Sequence, residues 1–375
     1  MKYRLFATTT MGLESVLAKE LRQLHYENIK VFDGKVEFDG DLTDICRCNL
    51  WLRTAGRVYL KVTQFKAVTF DALYDQTTAI DWKRWIQVHD CFPITKISSR
   101  KSTLFSKSDS QAIIKKAIVD ALKSQHNVQH LPESSGSIFA IRVQIENDIV
   151  TLSIDTTGPG LNKRGYRAHM DKAPLRETLA AGLLLLSRWR PHKDTLYDPF
   201  CGTGTILIEA AMIAQNRAPG LYREFAAEKW KLIPKKCWKT ARETAISQIK
   251  LNVDVDIHGT DINQNALDIA VKNSGLAKIE CITFKQRAFK DISAITGLGK
   301  IITNPPYGER LNNTAEIESL YCEMGSQFKT HFLDWTYYIL SSHDNFEQFF
   351  GFKARKNRKL YNGGIQCRFY QYFDY

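Results

Sequence analysis

The sequence predicts an α/β protein in which small α+β modules precede a doubly wound parallel sheet. Strands and helices alternate over about 200 residues of the second half, as in right-handed βαβ units. A turn-rich break, Thr156–Gly160, separates this part from the first half. The first half instead mixes amphipathic helices with strands that include a hairpin, which is typical of compact α+β modules.

In the first half, apolar alternation predicts strands and helical spacing predicts helices. The predicted strands are Tyr3–Thr9, Val31–Phe38, Val58–Phe65, Phe92–Ser98, Ile138–Ile145 and Val150–Ile154. The predicted helices are Leu13–Leu24, Leu42–Leu52, Phe70–Thr77 and Ser108–Ser124. Asn147 and Asp148 favour a tight turn between the last two strands, which predicts a hairpin.

The second half begins with the apolar helix Leu175–Trp189. Its predicted strands are Leu196–Tyr197, Asp256–Thr260, Ile282–Phe284, Ile301–Thr303, Trp335–Leu340 and Ile365–Phe373. We therefore divide the chain into two modules, a linker with its helix, and one larger domain: residues 1–65, 66–157, 158–192 and 193–375.

The composition narrows the class of protein. No run of about 18 apolar residues occurs, and the start lacks the apolar core of a signal peptide, so we expect a cytoplasmic protein without a membrane span. The eight cysteines form no CxxC pair, which predicts reduced thiols and no metal site. The chain carries 52 Lys and Arg against 40 Asp and Glu, a net charge of +12. Its oligomeric state is not predicted by the sequence.

The positive charge is concentrated in residues 96–107, 217–250 and 353–359. Clustered cations favour binding to a phosphate backbone, because they release its counterions; solvated surface faces are the alternative. The cations that we predict to contact RNA are Lys101, Lys163, Arg164, Arg167, Lys235, Lys236, Arg355 and Lys356.

A glycine-containing loop between a strand and a helix predicts a ligand site at the carboxyl edge of the sheet. The loop consists of Asp198, Pro199, Phe200, Cys201, Gly202, Thr203, Gly204 and Thr205. No Lys-Ser/Thr pair follows, as a P-loop requires, and the third glycine of a dinucleotide motif is missing. A methionine carboxylate is therefore a better partner for this helix start than a phosphate. A plain strand-to-helix turn is the alternative.

The end of a later strand supplies an acid for the same edge. Asp261 could accept hydrogen bonds from both hydroxyls of a ribose, with Ile262 beside it. It lies much further from the glycine loop than the acid of a dinucleotide fold, so the basic segment Ala218–Lys250 must be an insertion. Asp261 could alternatively cap the helix Asn265–Lys272.

The sequence Asn304-Pro305-Pro306-Tyr307 follows the apolar strand Ile301–Thr303. The two prolines stiffen the backbone beyond Asn304. The Asn304 side-chain carbonyl and the Pro305 carbonyl can accept the two protons of a nearly planar exocyclic amino group, which favours the positive charge of its transition state. Tyr307 could stack on a base that has left its helix. A proline-rich loop that only ends the strand is the alternative.

With these residues, the chain resembles the THUMP-domain methyltransferases of the UPF0020 family, in particular bacterial 23S rRNA (guanine-N2) methyltransferases. Asp198–Glu209 fits the family pattern DP-x-CG[ST]G-xxx-[LI]E throughout. Lys163–Arg167, Ala173–Ala181 and Asn304–Arg310 are similar to the segment that enters the catalytic domain and to the catalytic loop. The resemblance implies a Rossmann-like class I methyltransferase domain that uses S-adenosyl-L-methionine, preceded by a ferredoxin-like module and a THUMP domain that binds RNA.

The resemblance also implies site residues. Glu177, Thr178 and Leu179 would line the methionine end of the cofactor. Ala288 occupies the position where many relatives have an acid, so the adenine contact would come from the backbone or from Asp291, which could alternatively cap a helix.

The predicted function is therefore methyl transfer to an exocyclic amino group of RNA, most specifically to N2 of a guanine in 23S rRNA or an assembly intermediate. Three alternatives stay open: a tRNA guanine-N2 methyltransferase, a DNA adenine-N6 or cytosine-N4 methyltransferase, and an RNA-binding assembly factor without catalysis. The same four-residue sequence would serve all of the amino groups, so it does not distinguish them.

Overall fold

The computed structural model describes residues 2–167, 175–292, 297–307 and 314–373. These residues form two seven-stranded sheets, one in each half of the chain. In the described parts of the chain, no helix is long and apolar enough to cross a bilayer.

The amino-terminal half contains seven strands and four helices. The strands are β1 (Tyr3–Thr9), β2 (Glu27–Phe32), β3 (Lys35–Gly40), β4 (Ala55–Lys66), β5 (Ile94–Arg100), β6 (Ile141–Glu146) and β7 (Ile149–Asp155). The helices are α1 (Glu14–Gln23), α2 (Leu42–Trp51), α3 (Phe70–Thr78) and α4 (Lys107–His126). The predicted hairpin is present: β6 and β7 pair antiparallel, and Asn147 and Asp148 have φ angles of +50° and +61° in its turn.

The strands of both predicted modules form one continuous sheet, in the order β2-β3-β1-β4-β7-β6-β5. The antiparallel pair β4 and β7 joins the two parts. Alternate residues of the strands, such as Leu60 and Val143, point into one core together with residues of α1, α2, α3 and α4. All four helices therefore pack on the same face of the sheet.

The predicted single strand Val31–Phe38 is wrong, because Asp33 and Gly34 form a turn between β2 and β3. Gly34 has a φ angle of +70°, which favours glycine and reverses the chain. The apolar residues on both sides of this turn belong to different strands.

The described part of the carboxy-terminal half also contains seven strands. They are β8 (Thr195–Asp198), β9 (Ile257–Asp261), β10 (Thr283–Gln286), β11 (Gly299–Thr303), β12 (Thr336–Ser341), β13 (Lys356–Asn362) and β14 (Ile365–Tyr372). The helices are α5 (Glu177–Ser187), α6 (Thr205–Ala214), α7 (Lys235–Ser247), α8 (Gln264–Leu276), α9 (Thr314–His331) and α10 (Phe346–Phe350).

The strand order of this sheet is β10-β9-β8-β11-β12-β14-β13. The first five strands are parallel, whereas β14 pairs antiparallel with β12 and with β13. The prediction of a parallel sheet is thus corrected to a mixed one. The strand β13 was missed because its cations, including Lys356 and Lys359, resemble a solvated loop; they occupy an edge strand, where charge is common.

The predicted insertion lies between α6 and β9. It contains a short 3-10 helix, Ala226–Lys229, and α7, which packs against α2 of the other half. Phe225, Trp230 and Trp238 from this segment are buried in the core of the amino-terminal half. The insertion therefore completes a core that belongs to the other sheet.

Candidate active site

The glycine loop lies where the strand order reverses, because β8 has β9 on one side and β11 on the other. This is the position at which open α/β sheets bind ligands. Gly202 and Gly204 have φ angles of +50° and +78°. A Cβ atom on Gly204 would lie 3.1 Å from both Ala270 and Phe284, whereas one on Gly202 would enter open space. The loop is therefore tightly packed behind Gly204 and open in front of Gly202.

Asp261 ends β9 and binds the glycine loop directly. Its Oδ2 atom accepts a hydrogen bond from Gly202 N at 2.9 Å, and its Oδ1 atom accepts one from Asn263 N at 2.9 Å. The alternative role as a helix cap is wrong, because Asn263 caps α8 through bonds from Asn265 N and Ala266 N. Ile262 follows with 69% of its side chain exposed. A carboxylate beside an open apolar side chain suits the ribose and base of a nucleoside.

Asp198 connects the ends of β8 and β11. Its Oδ1 atom accepts hydrogen bonds from Thr303 Oγ1 at 2.6 Å and from Phe200 N at 3.1 Å. Burial raises the pKa of this carboxyl group to about 7, partly offset by the bond from Thr303. A buried acid that lacks a cationic partner among the described residues is suited to bind a cationic ligand group.

The carboxamide of Asn304 lies directly after Thr303, beside this edge. Only 8% of the residue is exposed. Its Oδ1 atom accepts no hydrogen bond from any residue that the structure describes. Because a buried carbonyl without a donor is costly, this atom is available for a donor on a substrate.

The following backbone is held by a residue that the sequence analysis missed. Tyr321 on α9 donates a hydrogen bond from its hydroxyl group to the Pro306 carbonyl at 3.0 Å, and the same hydroxyl contacts Ser341 Oγ at 3.1 Å. Nothing in the local sequence identifies Tyr321, because it lies on a separate helix. This bond stiffens the corner formed by residues 304–307, in addition to the two prolines.

Tyr307 is not placed for the predicted stacking. Its ring is 5% exposed, and its hydroxyl accepts hydrogen bonds from Asn362 Nδ2 at 3.4 Å and Cys367 Sγ at 3.8 Å. Both partners come from the β13–β14 hairpin. In this conformation the tyrosine anchors the loop to that hairpin instead of presenting an open ring. Residues 308–310 of the predicted loop lie outside the described residues.

The residues predicted to line the methionine end of the cofactor form the start of α5. Glu177 is buried, burial raises its pKa, and its Oε2 atom has no hydrogen-bond partner among the described residues. Thr178 and Leu179 are also buried, and Leu179 belongs to the core of this half. Arg167 Nε lies 3.3 Å from Glu177 Oε1, and Arg167 Nη2 donates to Thr205 Oγ1 at 2.8 Å. These contacts link the start of α5 to the start of α6.

Two of the predicted RNA contacts are wrong. Arg164 is 3% exposed, because its guanidinium pairs with buried Glu209 at 3.2 Å and also donates to the carbonyls of Leu161 and Arg53. The side chain of Arg167 is directed to Glu177 and Thr205, as described above. Neither can reach a phosphate in this conformation. The other six are exposed, namely Lys101, Lys163, Lys235, Lys236, Arg355 and Lys356.

Asp291 is the last residue predicted to contact the cofactor, and the structure gives its position but no contact with adenine. Asp291 is exposed at the end of the short helix Phe289–Asp291, and Phe289 stacks on Phe200 of the glycine loop with ring centroids 4.9 Å apart. Because Phe289 contacts the glycine loop, Asp291 lies near that loop. Its contact with adenine stays a prediction. Residues 173–174 of the predicted segment before α5 lie outside the described residues.

Taken together, the donor set fits S-adenosylmethionine. Asp261 and Ile262 suit its nucleoside, buried Asp198 suits a positive charge, and open space faces Gly202. Asn304 then presents an unused acceptor on the neighbouring strand.

Comparison with known proteins is consistent with this arrangement. The chain is 45% identical to "Putative RNA methyltransferase YpsC" of Bacillus subtilis (strain 168), over 100% of this chain and 96% of that protein. It is 33% identical to ribosomal RNA large subunit methyltransferase K/L of Shewanella sp. (strain W3-18-1), over 98% of this chain. The chain spans 52% of the length of that protein.

Two solved structures have the same fold. SMU.472, solved in complex with SAH, superposes with a TM-score of 0.93 at 39% identity, over 100% of this chain and 98% of that chain. A "predicted N6-adenine-specific DNA methylase" from Listeria monocytogenes superposes with a TM-score of 0.94 at 43% identity, over 100% of this chain and 97% of that chain.

Family models match three parts of the chain. Residues 4–59 match the RlmL ferredoxin-like domain and residues 67–155 match the THUMP domain. The predicted fold class is confirmed, with its parallel sheet corrected to a mixed one. Because residues 164–371 match the RMKL-like methyltransferase domain, the chain belongs to the UPF0020 family of methyltransferases.

Proposed function

We propose that the protein transfers a methyl group from S-adenosyl-L-methionine to an exocyclic amino group of RNA, and specifically to N2 of a guanine in 23S rRNA. The observation that carries the proposal is the unpartnered Asn304 Oδ1 atom at the edge where Asp198 and Asp261 end their strands. The THUMP match and the relatives named as RNA methyltransferases support RNA as the substrate.

The residues of the chain have separate tasks. When bound, the cofactor supplies a methyl group on a positively charged sulfur. Asn304 Oδ1 accepts a hydrogen bond from one N–H of the amino group, and the Pro305 carbonyl accepts one from the other, so that the nitrogen lone pair is directed to the methyl group. Tyr321 and the two prolines fix the direction of these acceptors. No strong base is required, because a methylated and cationic amino group readily loses a proton.

The name of the Listeria structure supports one rival, a DNA adenine-N6 methyltransferase. Incubation with labelled S-adenosylmethionine and either rRNA that lacks modifications or genomic DNA separates the two. We expect label in the large-subunit rRNA, and mass spectrometry of nuclease digests should find N2-methylguanosine. Label in DNA alone would contradict the proposal, and label in tRNA alone would replace rRNA as the substrate.

Asn304→Ala connects this activity to the site. We expect the rate of methyl transfer to fall by about 100-fold or more, because a transition-state acceptor is removed. Cofactor affinity, measured by calorimetry, should stay nearly unchanged. Normal turnover of this variant would remove Asn304 from the mechanism, and a wild-type protein that binds no cofactor would support a non-catalytic factor.

A further inference from the structure

The second face of the amino-terminal sheet carries no part of the shared core. Since the four helices pack on one face, alternate strand residues such as Tyr59, Lys61, Arg142 and Ser153 point to the other face. An open sheet face with aromatic and basic residues is one way in which proteins bind RNA.

A row of polar side chains crosses this face. Lys96 on β5 is the register partner of Arg142 on β6, Arg142 is the partner of Ser153 on β7, and Ser153 is the partner of Lys61 on β4. Neighbouring strands lie about 4.8 Å apart, so the row extends over roughly 14 Å.

Most charges on this face are balanced by carboxylates. Arg57 pairs with Asp155, and Glu37 pairs with Arg4 at 3.4 Å, with Lys35 at 2.9 Å and with Lys61 at 3.7 Å. Each cation near the Lys61 end of the row is therefore paired with a carboxylate.

Lys96 and Arg142 differ from these balanced cations. The charged groups that act on Lys96 are the guanidinium groups of Arg142 and Arg57; together with burial, the larger cause, they lower its pKa. Arg142 lies over the rings of Phe6 and Tyr59, 5.4 Å and 5.1 Å from their centroids, and its Nε and Nη1 atoms are buried and donate no hydrogen bond to any described residue. Two cations are thus held side by side, and no carboxylate among the described residues pairs with either of them.

We propose that Lys96 and Arg142 bind a backbone phosphate of the RNA substrate on the open face of the amino-terminal sheet. This inference rests on the proposed function, in that the substrate is RNA. A phosphate would balance the two charges and accept hydrogen bonds from both side chains. The nearby Tyr59 and Phe6 rings support the guanidinium group from below. Lys101 directly follows β5, whereas the predicted RNA contacts at Lys163, Lys235, Lys236, Arg355 and Lys356 lie on other segments, so this site would extend the contact area.

The test replaces Lys96 and Arg142 with methionine, singly and together. Methionine keeps an apolar stem over Phe6 and Tyr59, so the charge is removed with little loss of packing. Binding of a labelled RNA hairpin, without cofactor, is measured by fluorescence anisotropy over a range of KCl concentrations. We expect the double variant to bind about tenfold more weakly near 0.1 M salt, with a slope of log K against log [salt] that is smaller by about one.

Lys116→Met is the matched control. Lys116 is an exposed lysine of the same half on α4, on the helical face, and lies over Tyr74 as Arg142 lies over Phe6. Its replacement should leave RNA affinity and salt slope unchanged. Urea unfolding of each variant verifies that the fold is intact.

Wild-type affinity and slope in the double variant would overturn the inference. The same holds if the double variant loses binding to poly-glutamate but keeps its RNA binding, because the face would then serve an acidic protein. Failure of the proposed function is distinguishable: the charge-dependent RNA binding would be present in a protein that methylates no RNA.

Discussion

Tyr321 fixes the Pro306 carbonyl in the Asn304–Tyr307 corner through a single hydroxyl group. Tyr321→Phe removes this bond, and one net hydrogen bond contributes about 1 kcal/mol. We expect methyl transfer to slow by about fivefold, because the orientation of the corner is lost, while cofactor affinity stays the same. Steady-state kinetics with saturating cofactor measures this change.

Tyr337→Phe is the control for Tyr321. The Tyr337 hydroxyl donates to the carbonyls of Phe328 and Phe332 in the same aromatic core, away from the Asn304 corner. Its loss should affect stability without slowing transfer. Equal rates in the two variants would show that the Tyr321 bond does not orient the corner.

Asp198 should make cofactor binding depend on pH. Burial raises its pKa to about 7, so this carboxyl group is neutral below this pH and negative above it. A cationic cofactor binds the negative form. Affinity should therefore rise by about tenfold per pH unit between roughly pH 5 and 7 and then level off. Calorimetry over this range tests the prediction. Asp198→Asn should bind weakly at every pH, and a flat profile of the wild-type protein would contradict the role of Asp198.

At this scale, the sequence predicted the polar atoms that end neighbouring strands. Asp198, Asp261 and Asn304 were found because the carboxyl ends of parallel strands share one edge. Tyr307 and Arg164 were misassigned, since their partners come from distant segments. Asn362 lies 55 residues beyond Tyr307 and Glu209 lies 45 residues beyond Arg164. Local patterns of charge and aromatic residues do not contain this information.

Among the elements, the glycine loop contains one glycine that should affect cofactor binding and another that should affect the stability of the fold. Gly202→Ala places a methyl group in the open space before the loop, so cofactor affinity should fall by at least about tenfold, with a stability loss of about 1 kcal/mol from its positive φ angle. Gly204→Ala adds a clash with Ala270 and Phe284 and should lower the free energy of unfolding by about 2 kcal/mol or more.

Calorimetry and urea denaturation of the two variants compare these effects. The comparison of the two variants is the test: Gly202→Ala should mainly weaken cofactor binding, whereas Gly204→Ala should mainly lower the free energy of unfolding. If Gly202→Ala bound the cofactor normally, the open space would not be the cofactor site.

The elements themselves were mostly predictable where periodicity was regular. β1 and the β6–β7 hairpin appear at or near their predicted positions. The turn at Gly34 and the strand β13 were not predicted, because apolar residues flank the first on both sides and a run of cations covers the second. In both cases the pairing with the next strand along the chain, β3 or β14, decides the structure.

For the whole molecule, the insertion after α6 couples the two halves. Trp230 stacks on Phe139 with centroids 4.6 Å apart, and its indole donates to the Ile138 carbonyl at 3.0 Å. Trp230→Ala should lower the free energy of unfolding by about 3–5 kcal/mol. Hydrogen exchange should show the lost protection in β6, although the substitution lies in the other half of the chain.

Leu251→Ala is the comparison, because this leucine lies just beyond α7 and is 71% exposed. Its replacement should leave the free energy of unfolding within about 0.5 kcal/mol of the wild type and the hydrogen-exchange protection of β6 unchanged. Unchanged protection of β6 in the Trp230 variant would mean that the two halves are stable independently.

The same insertion determines when the chain can finish folding as it leaves the ribosome. The first sheet is synthesised complete, yet the side chains that seal its core, Phe225, Trp230 and Trp238, emerge only after α6. Until then the nascent chain exposes an apolar surface, which invites chaperones or aggregation. Synthesis and assembly are thereby linked, since the amino-terminal half matures only after the second half has been translated as far as Trp238.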